Sequence, residues 1–360
     1  MGGFLGAGKT TVIAALVRWL RERGRRCALI TNDQGHGLVD SALARQQTGA
    51  MAEITGGCFC CRLDELSAAI GRLSSGERPD VFLAEPVGSC TDLMATVLLP
   101  LARTEGMALS FAPLSVVLDG VRAYRALVSR GRARDFSKDV GYIYRKQMEE
   151  AEMLVINKCD LLTEVQLEKL RRELERSYPG RRMLTVSAHD GDGLEDWFEL
   201  LLTESSDTKS LMQVDYERYG IGEALLGWLN ATVEIPARQS GKGGAEILHG
   251  LMHAIAEGME RREIPVARCK ASLQDDTGAI LRVQLTRSGD KPVFAGELGG
   301  ALRGGRLLIN LCAEAEPERL SEIVTQTLAR TLGGITHEIT EFACFKPGQP
   351  VPMRRVEALV

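Results

Sequence analysis

The stretch Gly3-Phe4-Leu5-Gly6-Ala7-Gly8-Lys9-Thr10 decides the fold. Glycines at this spacing let successive backbone N–H groups converge on phosphate oxygens, and the helix that follows aims its positive end at them. In this P-loop pattern Lys9 reaches the β- and γ-phosphates and the Thr10 hydroxyl ligates Mg2+, with Thr11 closing the binding segment. Downstream, residues 27–31, 80–84, 114–118, 153–156 and 183–186 read as buried parallel strands, and 9–23, 62–74, 121–130 and 164–177 as the helices between them. The alternation predicts an α/β P-loop NTPase domain with a doubly wound, mostly parallel sheet. Only Met1 and Gly2 precede the loop, so the central first strand of that sheet is expected to be missing. Neighbouring strands would then be left with unpaired backbone groups. A chain start set downstream of the natural one, with weak nucleotide affinity, is the expectation.

Three more segments follow strands in the order such a domain requires. Glu85-Pro86-Val87-Gly88 supplies an acid beside the phosphates and a glycine N–H that senses the γ-phosphate. In Asn157-Lys158-Cys159-Asp160 the Asp160 carboxylate can accept from guanine N1–H and N2–H2, donors that adenine lacks, so GTP is preferred. Ser187-Ala188 stands where a backbone N–H could reach the guanine O6. A P-loop kinase is the rival enzyme class, and Asn-Lys-Cys-Asp argues against it.

Gly56-Gly57-Cys58-Phe59-Cys60-Cys61 places three thiols within four residues. Residues 52–55 read as a strand and 63 onward as a helix, so the cysteines sit on the turn entering a helix, where thiol pKa values fall. Cys58, Cys60 and Cys61 as thiolates suit Zn2+ or another soft-to-borderline ion, with the fourth position left to His36, Asp33, water or a client residue. The alternative is a buried or redox-active cluster. Cys27, Cys269, Cys312 and Cys344 lie in strand-like runs and read as core, and Cys90 as buried with redox sensitivity the alternative. His249 and His253, four apart on a helix, read as half-exposed residues rather than a metal pair, and His189 as lining the guanine loop.

The 360 residues carry a net charge of −4, which leaves no electrostatic footprint for nucleic acid, and Arg21 to Arg26 reads as a solvated helix end. Nine cysteines at uneven spacing, without a secretory signal, argue against a disulfide framework. No apolar run reaches membrane-spanning length, and a cytoplasmic location is expected. Glu204-Ser205-Ser206-Asp207-Thr208-Lys209 reads as a linker that separates a domain at 1–205 from a second at 213–360. There, strands at 226–235, 265–274, 279–287, 306–312 and 335–345 and helices at 245–262 and 317–332 predict a smaller α+β domain, with a ferredoxin-like arrangement the leading candidate.

Taken with the P-loop, Glu85 to Gly88 and Asn157 to Asp160, the Cys-x-Cys-Cys segment resembles the CobW-type metallochaperone GTPases, which group with UreG, HypB and MeaB-like proteins, over roughly residues 1–205. Asn32-Asp33-Gln34-Gly35 stands where that family usually has Asn-Glu-Phe-Gly, and Lys146-Gln147 resembles its helix before the guanine motif. His36 occupies a position often acidic in relatives. The C-terminal sequence pattern of the family is not seen. The resemblance implies slow GTP hydrolysis, with Glu85 or Asp33 orienting water and Gly88 sensing the γ-phosphate. It also implies delivery of zinc or cobalt to a client metalloprotein or cofactor-synthesis enzyme, and a homodimer in some members. A GTPase gating corrinoid loading and a GTP-binding metal buffer or sensor are the alternatives.

Overall fold

The computed structural model describes residues 1–33, 50–104, 109–129, 135–208, 210–236 and 243–358, with Asp33 described by its backbone alone. His36 and the rest of the expected switch at 34–40 lie outside the described residues. The chain divides into two compact units, one drawn from Met1–Gln34, Leu43–Gly222 and Gln349–Val360, the other containing Glu223–Gly348.

In the first unit, β1 (Cys27–Asp33), β2 (Ala50–Thr55) and β3 (Val81–Glu85) form a parallel sheet in the order β2-β1-β3. A second parallel sheet orders β4 (Ser115–Asp119), β5 (Met153–Asn157) and β6 (Arg182–Thr185) in sequence. Met1 and Gly2 lie between the two. The Gly2 N–H donates to Ser115 O at 2.8 Å and Gly2 O accepts from Val117 N at 3.0 Å, while the Met1 amine donates to Ala84 O at 3.3 Å. These two residues therefore occupy the carboxyl end of the expected central strand, where it runs into the P-loop. A cavity of about 740 Å3 is lined by Met1, Phe82, Leu83, Ala84, Leu114 and Ser115, among others.

Helix α1 (Lys9–Glu22) buries both its flanks. Val12, Leu16 and Leu20, at helical spacing, join Trp19 against Val117, Val155, Trp197 and Phe198, and Ile13 and Val17 face Leu29. Each such aliphatic side chain contributes about 1.5–3 kcal/mol of transfer free energy, which fixes the helix that carries the P-loop. The remaining helices are α2 (Leu63–Ser74), α3 (Gly120–Leu127), α4 (Val140–Glu150), α5 (Glu164–Ser177), α6 (Leu194–Thr203) and α7 (Tyr216–Ala224). Thr163 and Gln166 close a capping box on α5. The apolar run around Leu93 forms a short helical segment, Met94–Leu98 and Leu99–Ala102. Among the described residues no helix is long and apolar enough to cross a membrane.

The second unit is an antiparallel sheet ordered β10-β9-β8-β11-β7-β12. Its elements are β7 (Leu226–Ile235), α8 (Gly244–Arg261), β8 (Val266–Asp275), β9 (Ile280–Leu285), β10 (Val293–Gly296), β11 (Gly305–Glu314), α9 (Pro317–Thr331) and β12 (Glu338–Phe345). Without the β9–β10 hairpin at one edge, the order is the β-α-β-β-α-β of ferredoxin-like domains. Ile247, Leu251 and Ile255 of α8 share one core with Ile323, Val324 and Leu328 of α9 and with Leu273, Ile309 and Leu311 of the sheet.

The division departs from the expected 1–205 and 213–360 at two places. Residues 210–222 are fastened to α4: Lys146 Nζ donates to Gln213 O at 2.6 Å, Asp215 N to Tyr142 Oη at 2.8 Å, and Arg218 reaches Asp139 at 2.9 Å. The last residues return to the first unit, where Val356 N donates to Ala95 O at 2.9 Å.

Candidate nucleotide and metal site

Strands β1, β3, β4 and β5 each end on a polar residue, Asp33, Glu85, Asp119 and Asn157, beyond the apolar run that marked the strand. The P-loop meets this carboxyl edge, where open α/β sheets place their ligands. Gly3, Gly6 and Gly8 take φ values of 131°, 80° and 96°. Gly8 is the N-cap of α1, and a Cβ there would lie 2.4 Å from Asn157 Nδ2, so only glycine fits. Lys9 is buried and donates to Gly3 O at 2.8 Å and Phe4 O at 3.5 Å, which holds its ammonium inside the loop. The Thr10 hydroxyl donates to Glu85 Oε1 at 3.0 Å. Thr11 is exposed and Ala7 buried.

Asn157 ties three segments together. Its Nδ2 donates to Ala7 O at 2.8 Å and its Oδ1 accepts from Ala188 N at 2.9 Å. Ser187 N donates to Asp192 O at 3.0 Å. The Ser187 and Ala188 N–H groups, one of which was expected to reach guanine O6, both donate within the protein, and the Ala188 one orients Asn157. Lys158 adopts a left-handed conformation (φ 60°) and its ammonium meets Asp119 Oδ2 at 2.5 Å. Burial pushes the Asp119 carboxyl up, but Lys158 and Arg122 outweigh it and hold the group below the usual carboxylate range. Asp119 also caps α3 by accepting from Arg122 N at 3.0 Å. Sequence reasoning passed over this residue, although an Asp-Gly pair between an apolar strand and a helix is a capping signal. Asp160 is exposed on a 3-10 turn, free to face a base.

Gly88 packs against the P-loop so closely that a Cβ would sit 2.9 Å from Leu5 N. Its carbonyl accepts from the buried Gln147 Nε2 at 2.9 Å. Lys146-Gln147 was visible as a family echo; what Gln147 does was not.

The cysteine loop follows β2. The buried Asn32 side chain on β1 donates to Ile54 O at 3.0 Å and Gly57 O at 2.6 Å, which joins the end of β1 to the Gly56-Gly57 turn. Cys61 N and Arg62 N both donate to Cys58 O at 3.0 Å as the chain winds into α2. The sulfurs converge: Cys58 to Cys60 is 2.7 Å, Cys58 to Cys61 3.0 Å and Cys60 to Cys61 3.8 Å. Among the described residues this is the group of His, Cys, Asp or Glu that can hold a metal, with ligand atoms within 4.8 Å of one another. Hydrogen bonds from Cys60 and Cys61 hold the Cys58 thiol far below its ordinary range, and the same contacts push Cys60 and Cys61 up. A tetrahedral ion at about 2.3 Å from each sulfur requires sulfurs about 3.8 Å apart, so the Cys60–Cys61 pair fits and Cys58 must move outward.

The C-terminal residues cross this loop. Met353 N donates to Cys60 O at 2.9 Å, and the Val351 N–H reaches Cys61 sulfur. Arg355 anchors the segment on the buried Asp92 at 2.8 Å and on Met212 O at 3.0 Å. No local signal in the sequence marks the contact, because Asp92 and Arg355 are 263 residues apart.

His249 and His253 are exposed; His249 stacks on Phe294 with ring centroids 3.7 Å apart, and His253 Nδ1 lies 2.8 Å from His249 O. Cys269 and Cys312 are core residues, while Cys27 and Cys344 are half-buried. His189 is exposed beside Asp190.

Residues 1–185 match the protein family described as CobW/HypB/UreG, nucleotide-binding domain. The chain is 29% identical over 219 residues to the zinc chaperone CobW of Sinorhizobium sp, covering 53% of this chain and 58% of that protein. It is 29% identical over 189 residues to the zinc chaperone YeiR of Escherichia coli (strain K12), covering 52% and 53%. The chain therefore spans about half the length of the curated relatives it matches. Among solved structures it is similar to HypB from Helicobacter pylori in complex with nickel, at 19% identity and a TM-score of 0.40 over 56% of this chain and 84% of that one. The zinc-bound YjiA GTPase from E. coli aligns at 17% identity and a TM-score of 0.38 over 93% and 97%. With the family pattern covering more than half of its length, this chain belongs to the CobW/HypB/UreG nucleotide-binding family.

Proposed function

We propose that the chain is a GTP-dependent metallochaperone, which binds and slowly hydrolyses GTP and uses the nucleotide state to hold and release a divalent metal for a client protein. Zinc is the favoured cargo, with cobalt the alternative. The observation that carries this reading is the convergence of Cys58, Cys60 and Cys61 sulfurs within 3.8 Å, on a turn that Asn32 ties to β1 of the nucleotide sheet. Three thiolates with one further position suit an ion that must be both held and surrendered.

Lys9 and the N–H groups of residues 3–10 are the phosphate-binding set, and Asp160 selects guanine through its exposed carboxylate. Thr10 and Glu85 are neighbouring oxygen donors that fit Mg2+, which neutralises phosphate charge when bound. Their contact supports Glu85 as a magnesium-side group, with Asp33 then the candidate for orienting water. Gly88 N–H reads the γ-phosphate from its place against Leu5. By linkage, a nucleotide state that changes metal affinity requires the metal to change nucleotide affinity by the same factor.

Phosphate release from GTP, followed with and without zinc, tests the proposal. Turnover that zinc alters in the parent chain, but not after Cys58, Cys60 and Cys61 become serine, is the expected result. Absence of GTP turnover in both conditions would leave a nucleotide-binding metal buffer in its place.

A further inference from the structure

Cys90 lies two residues beyond Gly88, in the segment that the γ-phosphate reading depends on. It is 3% exposed, so its thiol faces the interior rather than solvent. That thiol is in hydrogen-bonding contact with Cys58 sulfur, just outside the three sulfurs that lie within 4.8 Å of one another, so an ion must draw it inward. The backbone around it is well held: Cys90 N donates to Val87 O at 2.9 Å, and Gln147 Nε2 bridges Gly88 O at 2.9 Å and Cys90 O at 2.8 Å. A fourth thiol therefore meets the cysteine loop from a different strand end.

We propose that Cys90 is the fourth ligand of the cysteine site, completing a tetrathiolate for a soft-to-borderline divalent ion. The inference rests on the metal reading above and deepens it. Four thiolates around one divalent ion leave two net negative charges, and each thiol proton released on binding passes to solvent. A tetrathiolate drawn from one rigid loop would lock zinc in place. Here three sulfurs belong to the turn after β2 and the fourth to the loop after β3, directly behind Gly88. Movement of Gly88 toward a γ-phosphate carries Cys90 with it. The sulfur count at the metal is then the property through which the nucleotide reaches the cargo.

Zinc-edge X-ray absorption on the full chain, loaded with one equivalent of zinc, tests this by counting sulfur neighbours. The expected result is four sulfurs near about 2.3 Å in the parent chain and three sulfurs plus a lighter atom in Cys90→Ser. Three sulfurs in the parent chain, unchanged in Cys90→Ser, would overturn the inference while leaving the three-cysteine site intact. Zinc without sulfur neighbours in the parent chain would overturn the metal reading itself. The parent spectrum decides the matter even if Cys90→Ser does not fold.

Discussion

The nucleotide pocket and the cysteine loop stand on the same unit, yet they are built on opposite terms. In the pocket the groups are already tied where they are needed: Asn157 to Ala7 and Ala188, Lys158 to Asp119, Lys9 to the P-loop carbonyls. In the cysteine loop two sulfur contacts, at 2.7 and 3.0 Å, are shorter than an ion allows. The pocket is preorganised, and the loop must open to receive its ligand. Their charges differ in the same sense. The pocket keeps Asp119 ionised against Lys158. Close to the segment that anchors the tail, burial and then the charge of Asp92 raise Glu150 to about 8, so it is held neutral while accepting from Leu93 N at 2.6 Å.

Opposite charge states give opposite pH responses, and these give the largest expected effect. Glu150 has a folded pKa above its unfolded value of 4.5, so its stabilisation is complete below that value and is lost as pH rises toward about 8. Glu150→Gln should remove that loss, roughly 3–5 kcal/mol across the window, in urea unfolding at pH 5 and pH 8. Asp119 has a folded pKa below 3.8, so its contribution is present above that value and is lost as pH falls through the lower folded one. Asp119→Asn should flatten the acid limb alone. If both variants changed the same limb, the contrast between the regions would fail.

Lys9→Ala is expected to weaken GTP binding by about 3 kcal/mol, roughly two-hundredfold, because it removes a buried ammonium from the phosphates. Zinc affinity of the nucleotide-free chain should hardly change, and a parallel fall would mean that the two sites are one. Cys60→Ser should do the converse: about 3 kcal/mol lost from zinc binding, a quarter of what a four-ligand site supplies, with GTP affinity of the zinc-free chain preserved. Arg355→Ala gives the smallest shift. It removes the cationic partner of Asp92 and leaves that carboxylate only the Tyr216 hydroxyl, at a cost of about 1.4 kcal/mol, so a thiol-reactive disulfide should modify Cys61 faster by about tenfold. Unchanged reactivity would mean that residues 351–355 do not cover the loop.

What the sequence showed was local. The P-loop, Asn157 to Asp160 and Cys58 to Cys61 are contiguous, so spacing alone carries their chemistry. The parallel strands were found from apolar runs, and those runs stop before Asp33, Glu85, Asp119 and Asn157, the polar residues that line the carboxyl edge. The C-terminal unit was legible because its strands and helices alternate in burial, whereas β10 escaped because its four residues are largely exposed. Asp119, Asn32, Gln147 and the Arg355 tail take their meaning from partners 22 to 263 residues away. The pairing of Gly2 with β4 and of the Met1 amine with Ala84 carried no sequence signal, because its partners lie more than 80 residues away.

The most direct test is the zinc affinity of the chain with GDP bound against its affinity with a non-hydrolysable GTP analogue. The account predicts a difference of about 5- to 150-fold, the range of ordinary coupling between sites, abolished when Cys58, Cys60 and Cys61 are serine. Equal zinc affinities in the two nucleotide states would contradict it, because no coupling free energy would then connect the pocket to the cysteines.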